Sequence, residues 1–297
     1  MKPTKGELNL FPVSITISAL NEEHRIKDTI ISARKNNPAE IIVIEGGSTD
    51  KTADIARQFA DRVYSVDQYG LGYKRAYGVE MATQPFVMTL DADQVLEDNA
   101  LANMIKELEE KGYAGIQAKL LSIQNETYWE QAMGYNCGLT HSKPIDSNII
   151  GTPAIFRREI LLKCNFDKSI SGSCDDTDLC YRLVSKGYRL GISSAICYQK
   201  HRSSFKTTIK KFSWYGEGDL EFGLKHPERM LSIFTHPIRN YIIKKSILAI
   251  SSGDFRFAPF FIIVGAARHI GFYRALVRRL FGNKLDSRVR YRDNKDF

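Results

Sequence analysis

The sequence predicts an α/β fold built on a doubly wound sheet, and three observations carry that expectation. Val13–Ala19 alternates apolar and hydroxyl residues as a strand does, and Ile26, Ile30 and Ala33 then recur at helical spacing. Ile41-Ile42-Val43-Ile44 follows as the continuous apolar run that a parallel strand covered on both faces requires. Strand, helix, strand in that order opens a sheet whose ligands bind outside the carboxyl ends of its strands. Hydrophobic residues at 43% and charged residues at 26% of 297 supply a core for one large domain, or for one domain with an appendage.

The first strand ends in Leu20-Asn21-Glu22-Glu23, and Pro38 closes the helix behind it. The second, Glu40 to Glu45, runs into Glu45-Gly46-Gly47-Ser48-Thr49-Asp50 and a helix with Ile55 and Phe59 on one face. Those glycines permit a tight turn and close approach of a ligand, while Ser48, Thr49 or Asp50 caps the helix; a plain capped turn fits the residues equally well. No phosphate-loop pattern is present. A short strand at Val63–Val66 leads to Gly70–Gly78, where Lys74 and Arg75 stand near a helix start, as a phosphate contact or as a solvated basic turn. The run Pro85–Leu90 then ends in Asp91-Ala92-Asp93, which puts two carboxylates at the carboxyl end of a strand. They suit a metal and substrate site, or a turn leading to the helix that starts near Asp98.

Ala100–Lys111 is an amphipathic helix with Leu101, Met104, Ile105 and Leu108 inward, and residues 114 to 121 form a strand. Asn125–Asn148, with Tyr128, Trp129, Tyr135 and His141, shows no steady period; it is expected as an irregular acceptor-binding loop or a satellite aromatic cluster. In Cys174-Asp175-Asp176-Thr177-Asp178 three carboxylates crowd one helix start, where a cap needs one. Like charges held close raise a pKa and make a better base. Strands near 188–192 and 195–198 end at Gln199-Lys200-His201-Arg202, where His201 completes a metal or diphosphate site or is structural.

The formal charge of +8 is unevenly placed. From His236 onward 13 Lys and Arg face 4 Asp, whereas residues 1–235 are nearly neutral. That argues against nucleic acid as a partner of the main domain and for an anionic surface met by the C-terminal part. Five cysteines without a Cys-x-x-Cys pair argue against a disulfide framework, and no apolar leader follows Met1, so a reduced, cytosolic setting is expected. Within the tail, Phe257–Ala267 is apolar, interrupted by Pro259 and stopped by Arg268, short of the roughly 20 residues a spanning helix needs. The expectation is amphipathic helices lying on an anionic leaflet, beside Lys244, Lys245, Arg274, Arg278 and Arg279, or packed on protein or a second copy.

Taken together, these motifs resemble the family 2 glycosyltransferases of GT-A fold, from about Val13 to about Gly218. The carriers are Leu20–Glu23, Glu45–Asp50, Gly70–Gly78, Asp91-Ala92-Asp93, Gly151–Arg158, Asp175–Leu179 with Arg182-Leu183, and His201, in that order. The resemblance implies a Rossmann-like mixed sheet flanked by helices, with residues 1–235 catalytic and 236–297 a basic, apolar helical tail. It implies that Ala19, Asn21, Glu22, Glu45, Lys74, Arg75 and Asp91 border the nucleotide-diphosphate sugar donor. Asp93 and His201 would hold Mn2+ or Mg2+, and Asp176 would be the base beside Asp175. Gly151, Thr152 and Trp129 are expected at the acceptor. Glu45 and Asp175 depart from the family's usual Asp and Glu. One base without an evident nucleophile implies inverting transfer, and because an anionic acceptor would need no base, the nucleophile is expected to be a hydroxyl. The acceptor is expected as a saccharide or lipid-linked saccharide at the cytoplasmic membrane face. A polyprenyl-phosphate glycosyltransferase and a non-catalytic membrane-bound sugar-nucleotide-binding protein stand as alternatives, and a homo-oligomer is open as a partner state. A nucleotidyltransferase is disfavoured because Phe11–Arg25 has no glycine-rich, basic loop.

Overall fold

The computed structural model describes residues 10–66, 70–123, 126–140, 145–170, 172–199 and 204–281. The first half alternates strand and helix: β1 (Phe11–Ala19), α1 (Ile26–Lys35), β2 (Pro38–Glu45), α2 (Thr52–Phe59), β3 (Arg62–Ser65), α3 (Leu71–Met81) and β4 (Phe86–Asp91). The short β5 (Gln94–Leu96), α4 (Ala100–Lys111), β6 (Gly115–Ser122), α5 (Tyr128–Thr140), β7 (Ile145–Ser147), β8 (Ala154–Arg157) and α6 (Arg158–Lys163) come next. They are followed by α7 (Asp175–Ser185), β9 (Leu190–Gln199) and the long α8 (Phe205–Lys225). Among the described residues one sheet runs β3-β2-β1-β4-β8-β6-β9-β5, with β7 paired to β9. β3, β2, β1 and β4 are parallel, and β8 is antiparallel to both its neighbours.

The alternation in the sequence becomes the two faces of this sheet. Val13, Ile15 and Ile17 of β1 pack with Ile41 and Val43 of β2 under α1 and α4, through Ile26, Ile30, Leu101 and Met104. Ile42 and Ile44 point the other way, onto Val79 of α3, Leu161 of α6 and Leu183 of α7. Ser14 and Thr16 are buried on β1, and each hydroxyl is satisfied: Ser14 Oγ donates to Glu40 Oε1 at 2.5 Å and Thr16 Oγ1 to the Met88 carbonyl at 3.2 Å. A half-polar strand is therefore compatible with burial on both faces, because its hydroxyls find acceptors inside the sheet.

Three expectations change. Among the described residues of 125–148, α5 occupies Tyr128–Thr140, and Tyr128, Trp129 and Tyr135 pack on Phe257, Phe260 and Phe261 of the tail. Its apolar face is set by that tertiary partner, which blurs the periodicity. Residues 190–192 and 195–198 are not two strands but parts of the single β9, and the irregularity lies within it: Gln117 and Lys119 of β6, two residues apart, pair with Ile192 and Ile196, four residues apart. Pro259 does not interrupt the tail helix; it sits in the first turn of α11 (Ala258–Phe281), where a missing N–H costs no helical bond.

Before α11 the chain passes through α9 (Met230–His236), a π-helical segment Pro237–Lys245 and α10 (Ser246–Ser251). α11 lies along α8 at backbone contact. A Cβ on Gly216 would stand 1.8 Å from the Arg268 carbonyl oxygen, and one on Gly271 1.8 Å from that of Ser213. Phe260, Phe261 and Val264 are fully buried in this interface, each contributing on the order of 1.5–3 kcal/mol of transfer free energy. The opposite face of α11 exposes Ile262, Ile270, Tyr273 and Val277. Within Phe255–Phe281 an 18-residue window reaches a mean hydropathy of 1.4, so this helix is long and apolar enough to cross a membrane by length and composition. The short-segment argument against spanning therefore falls, although part of that stretch is buried against the protein.

Candidate active site

Parallel register brings the ends of β1, β2 and β4 level: Ala19 lies beside Glu45, and Ser18 beside Asp91. The loops leaving β1 and β2 are tied together. Asn21, at φ 55°, occupies the left-handed region that asparagine tolerates; its N–H donates to Ser48 Oγ at 2.9 Å and its Oδ1 accepts from the Thr49 N–H at 2.9 Å. The Glu22 N–H donates to Thr52 Oγ1 at 2.7 Å. Glu45 is 3% exposed and accepts from the Ser48 N–H, so it shapes the Gly46-Gly47-Ser48 turn and is not among the residues lining the cleft. Ala19 is also behind the wall. Its carbonyl accepts from the Gly46 N–H at 3.0 Å and lies 3.4 Å from Nζ of the buried Lys74.

Above these strand ends lies a cavity of about 1000 Å³, lined by Asn21, Glu22, Lys74, Arg75, Asp91, Asp93, Gly151, Thr152, Asp175 and Asp176. Arg75 organises one wall. The α3 helix delivers its guanidinium between two carboxylates: NH1 donates to Asp175 Oδ2 at 2.7 Å and NH2 to Asp91 Oδ1 at 3.0 Å. Arg75 is 5% exposed, and a buried fork between two acids fixes both of them in place. It is thus a scaffold for the acids rather than a solvated basic turn. The other Asp91 oxygen accepts from the Thr152 hydroxyl at 2.6 Å, and the Asp91 N–H donates to Gln94 Oε1 at 3.0 Å. The carboxyl of Asp91 is held below its usual range by Arg75 and Thr152 against the cost of burial.

Asp176 is the second member of the Asp175–Asp178 cluster to line the cavity. Burial and the neighbouring Asp175 push its carboxyl up to about 7. It accepts from the Thr177 N–H at 2.6 Å and faces Gly151, where a Cβ would come within 3.0 Å of Asp176 Oδ2. A carboxylate poised near neutrality at the wall of a cleft suits general-base work. Asp178 separates from this pair. It is fully buried, points away from the cavity and accepts from Arg182 Nε at 2.7 Å; Lys225 Nζ at 2.7 Å and His226 Nε2 at 2.8 Å lie against its other oxygen. Of the three crowded acids, two face the cleft and one clamps α7 to the end of α8.

Asp93 and Glu22 form the other acidic wall. Burial and Asp91 raise the Asp93 carboxyl, while burial pushes Glu22 up to about 7 against the pull of Arg25, whose Nε is 2.6 Å away. Gln199 Nε2 donates to Asp93 Oδ2 at 2.9 Å. Among the described residues no group of three or more His, Cys, Asp or Glu is gathered as a metal cage, and His201 lies outside the described residues. The donor set nonetheless fits a hard divalent cation. Such ions bind through one or two carboxylates plus substrate phosphates and water, and a positive charge at Asp93 relieves the repulsion that raises its proton affinity.

Trp129 is not brought to the cavity. It packs edge-on to Tyr128 and against Phe205 and Phe260. Sequence reasoning also missed several lining residues, because nothing local marks them: Arg25, Gln94, Gln117 and Gln199 around the acids, and Lys211, Tyr215, Tyr241, Lys245 and Arg268 from α8 and the tail.

A parallel half-sheet, an antiparallel extension and an acid-lined cleft at the strand ends define a transferase of the GT-A class. Residues 14–164 match the profile of the family described as glycosyl transferase family 2, and the chain belongs to that family. Among curated relatives, the poly-beta-1,6-N-acetyl-D-glucosamine synthase of Staphylococcus epidermidis is 30% identical over 122 residues, 39% of this chain and 30% of that protein. The lipopolysaccharide core biosynthesis glycosyltransferase LpsC of Rhizobium meliloti is 31% identical over 102 residues, 33% of this chain and 37% of that one. The matched part thus spans well under half of these relatives. Among solved structures, the mannosyltransferase PcManGT of Pyrobaculum calidifontis, in complex with GDP-Man and Mn2+, superposes with a TM-score of 0.61 at 17% identity, covering 92% of this chain and 91% of that one. TarS of S. aureus in complex with UDP-GlcNAc gives 0.53 at 15% identity, covering 92% and 93%. Both likenesses concern the fold.

Proposed function

We propose that this glycosyltransferase moves a sugar, with inversion, from a nucleotide-diphosphate donor to a hydroxyl of a saccharide or lipid-linked saccharide acceptor. The observation that carries the reading is Asp176, a cleft carboxyl pushed up to about 7 in the same cavity as Asp91 and Asp93. Asp176 takes the proton of the attacking hydroxyl, and Asp175, pinned by Arg75, keeps it basic. Asn21, Glu22, Lys74 and Asp91 border the donor, and Gly151 and Thr152 border the acceptor. Mn2+ or Mg2+ held through Asp93 neutralises the diphosphate leaving group when bound. The GDP-Man and UDP-GlcNAc in the two structural neighbours support a sugar nucleotide, and the Mn2+ in one supports the metal. The apolar exposed face of α11 supports peripheral attachment to a membrane, with the donor drawn from the cytoplasmic side.

Thermal-shift measurements with UDP-, GDP- and dTDP-sugars, with and without Mn2+, test the reading, since a ligand bound only by the folded state raises its melting temperature. One sugar nucleotide should stabilise the protein in a Mn2+-dependent manner, and Asp93→Ala should remove the Mn2+ dependence. Stabilisation by none of them would refute the proposal.

A further inference from the structure

The cavity is bipolar. Its acidic end is described above; its other end is built by α8, the π-helical segment and α11. In the π-helix the wider turn brings residues four and five apart onto one face, and His236, Asn240, Tyr241 and Lys245 all line the cavity. Lys245 is 8% exposed, with Nζ 2.6 Å from Asn136 Oδ1 and 4.7 Å from the Tyr241 ring centre. Burial, with Arg268 and Lys244 nearby, lowers its ammonium to about 8. Arg268 reaches the same wall, held on Asp219 at 2.5 and 2.6 Å, while Lys211 stands between the two ends, within the field of Asp93 on one side and of Cys137, beside Lys245, on the other. Thr208 is 3% exposed, lines the cavity and has a hydroxyl with no hydrogen-bond partner among the described residues. The same holds for Nδ1 of His236, whose imidazole is kept neutral by burial and by Arg268.

We propose that this end of the cavity is a phosphate-binding subsite for the acceptor, with Lys245 and Arg268 supplying charge and Thr208 a hydroxyl donor. A buried ammonium whose proton affinity is depressed by burial and by Arg268, beside an unsatisfied hydroxyl, is relieved by one tetrahedral anion. The subsite rests on the transferase reading and deepens it. Asp176 activates a hydroxyl, so the phosphate is not the nucleophile but lies farther along the same acceptor molecule. Two sources share this chemistry: the phosphate that joins a saccharide to a lipid, and a phosphodiester within a water-soluble polymer.

The test is calorimetric binding to the full chain in metal-free buffer, with geranyl phosphate, glycerol phosphate and geraniol as probes. Geranyl phosphate should bind, and Lys245→Met should weaken it by at least about tenfold, as expected when one partner of a desolvated charge pair is removed. Thr208→Val, nearly isosteric, should weaken it several-fold with an unchanged melting temperature, which keeps the test decisive if the lysine variant folds poorly. Preference for geranyl over glycerol phosphate assigns the lipid source, and equal binding assigns the polymer. Geraniol binding as well as its phosphate, or both variants binding like the wild type, would overturn the subsite. A parallel titration of the sugar nucleotide with Mn2+ separates the two ideas. Equal weakening of donor and geranyl phosphate in Lys245→Met would overturn the acceptor assignment, because the cations would then serve the donor diphosphate. Absence of donor binding in the wild type would instead defeat the transferase reading.

Discussion

Asp175 and Asp176 are adjacent carboxylates in different surroundings, and their partners make the difference. Arg75 holds Asp175 at 2.7 Å, while among the described residues Asp176 is hydrogen-bonded by the backbone and hydroxyl of Thr177, and it faces the cavity. With its carboxyl up at about 7, the fraction of Asp176 able to accept a proton grows as pH rises through neutrality. Turnover should therefore climb between roughly pH 6 and 8 and level off above it. Glu22 lies near the same value, so Glu22→Gln discriminates: the limb should persist in that variant. Asp176→Asn should lose transfer by a factor on the order of 100 or more while sugar-nucleotide binding, read by thermal shift, survives. Equal loss of binding and transfer would assign the base elsewhere. The raised carboxyl also has a cost. The folded state holds that proton more tightly than the unfolded chain, so this group's contribution to stability is complete at acid pH and declines as pH rises through about 7.

At the level of elements, α7 and α8 are joined by the buried Asp178 with Arg182, Lys225 and His226. These partners hold the Asp178 carboxyl below its usual range, so its contribution is present above the unfolded value and is lost as pH falls through the folded one. Asp178→Asn leaves buried cations without their anion and should cost roughly 3–5 kcal/mol in denaturant unfolding, with the donor-induced shift retained. That outcome would set Asp178 apart from Asp176, two residues away. The α8–α11 contact depends on Gly216 and Gly271, whose missing Cβ atoms let backbone meet backbone. Gly271→Ala should force the helices apart, cost at least about 1–3 kcal/mol, and displace Arg268 from Asp219. A melting temperature equal to the wild type would contradict that packing.

For the molecule as a whole, the tail is both a wall of the cavity and an outer apolar surface. Its inner face carries Tyr241, Lys245 and Arg268, and its outer face exposes Ile247, Ile250, Ile270 and Leu280. The two roles are separable by mutation, because the residues point in different directions. Replacing Ile247, Ile250 and Leu280 together by glutamate should release the protein from anionic liposomes in a sedimentation assay, with melting temperature and donor binding unchanged. Continued co-sedimentation would leave the membrane reading without support.

The sheet was legible in the sequence because its signals are local. Apolar alternation in β1, the buried run of β2 and the helical spacing after each record only which face a side chain occupies. The acids at Asp91, Asp93 and Asp175–Asp178 were legible for a similar reason, since carboxylates at element ends stand out against turn chemistry. What Asp91 and Asp175 share was not legible: Arg75 joins residues far apart in the chain, and only packing of α3 under α7 brings them together. Asp178 could not be told from Asp176 by spacing, nor could Trp129 be told from a cleft aromatic, since both depend on which long-range partner covers them. The tail shows the division most plainly. Its charge and apolar content could be counted from composition, but that Lys245 and Arg268 enter the acid-lined cavity was decided by a π-helical turn and by two glycines that let α11 lie against α8. Those are consequences of three-dimensional contact, which no window along the chain records.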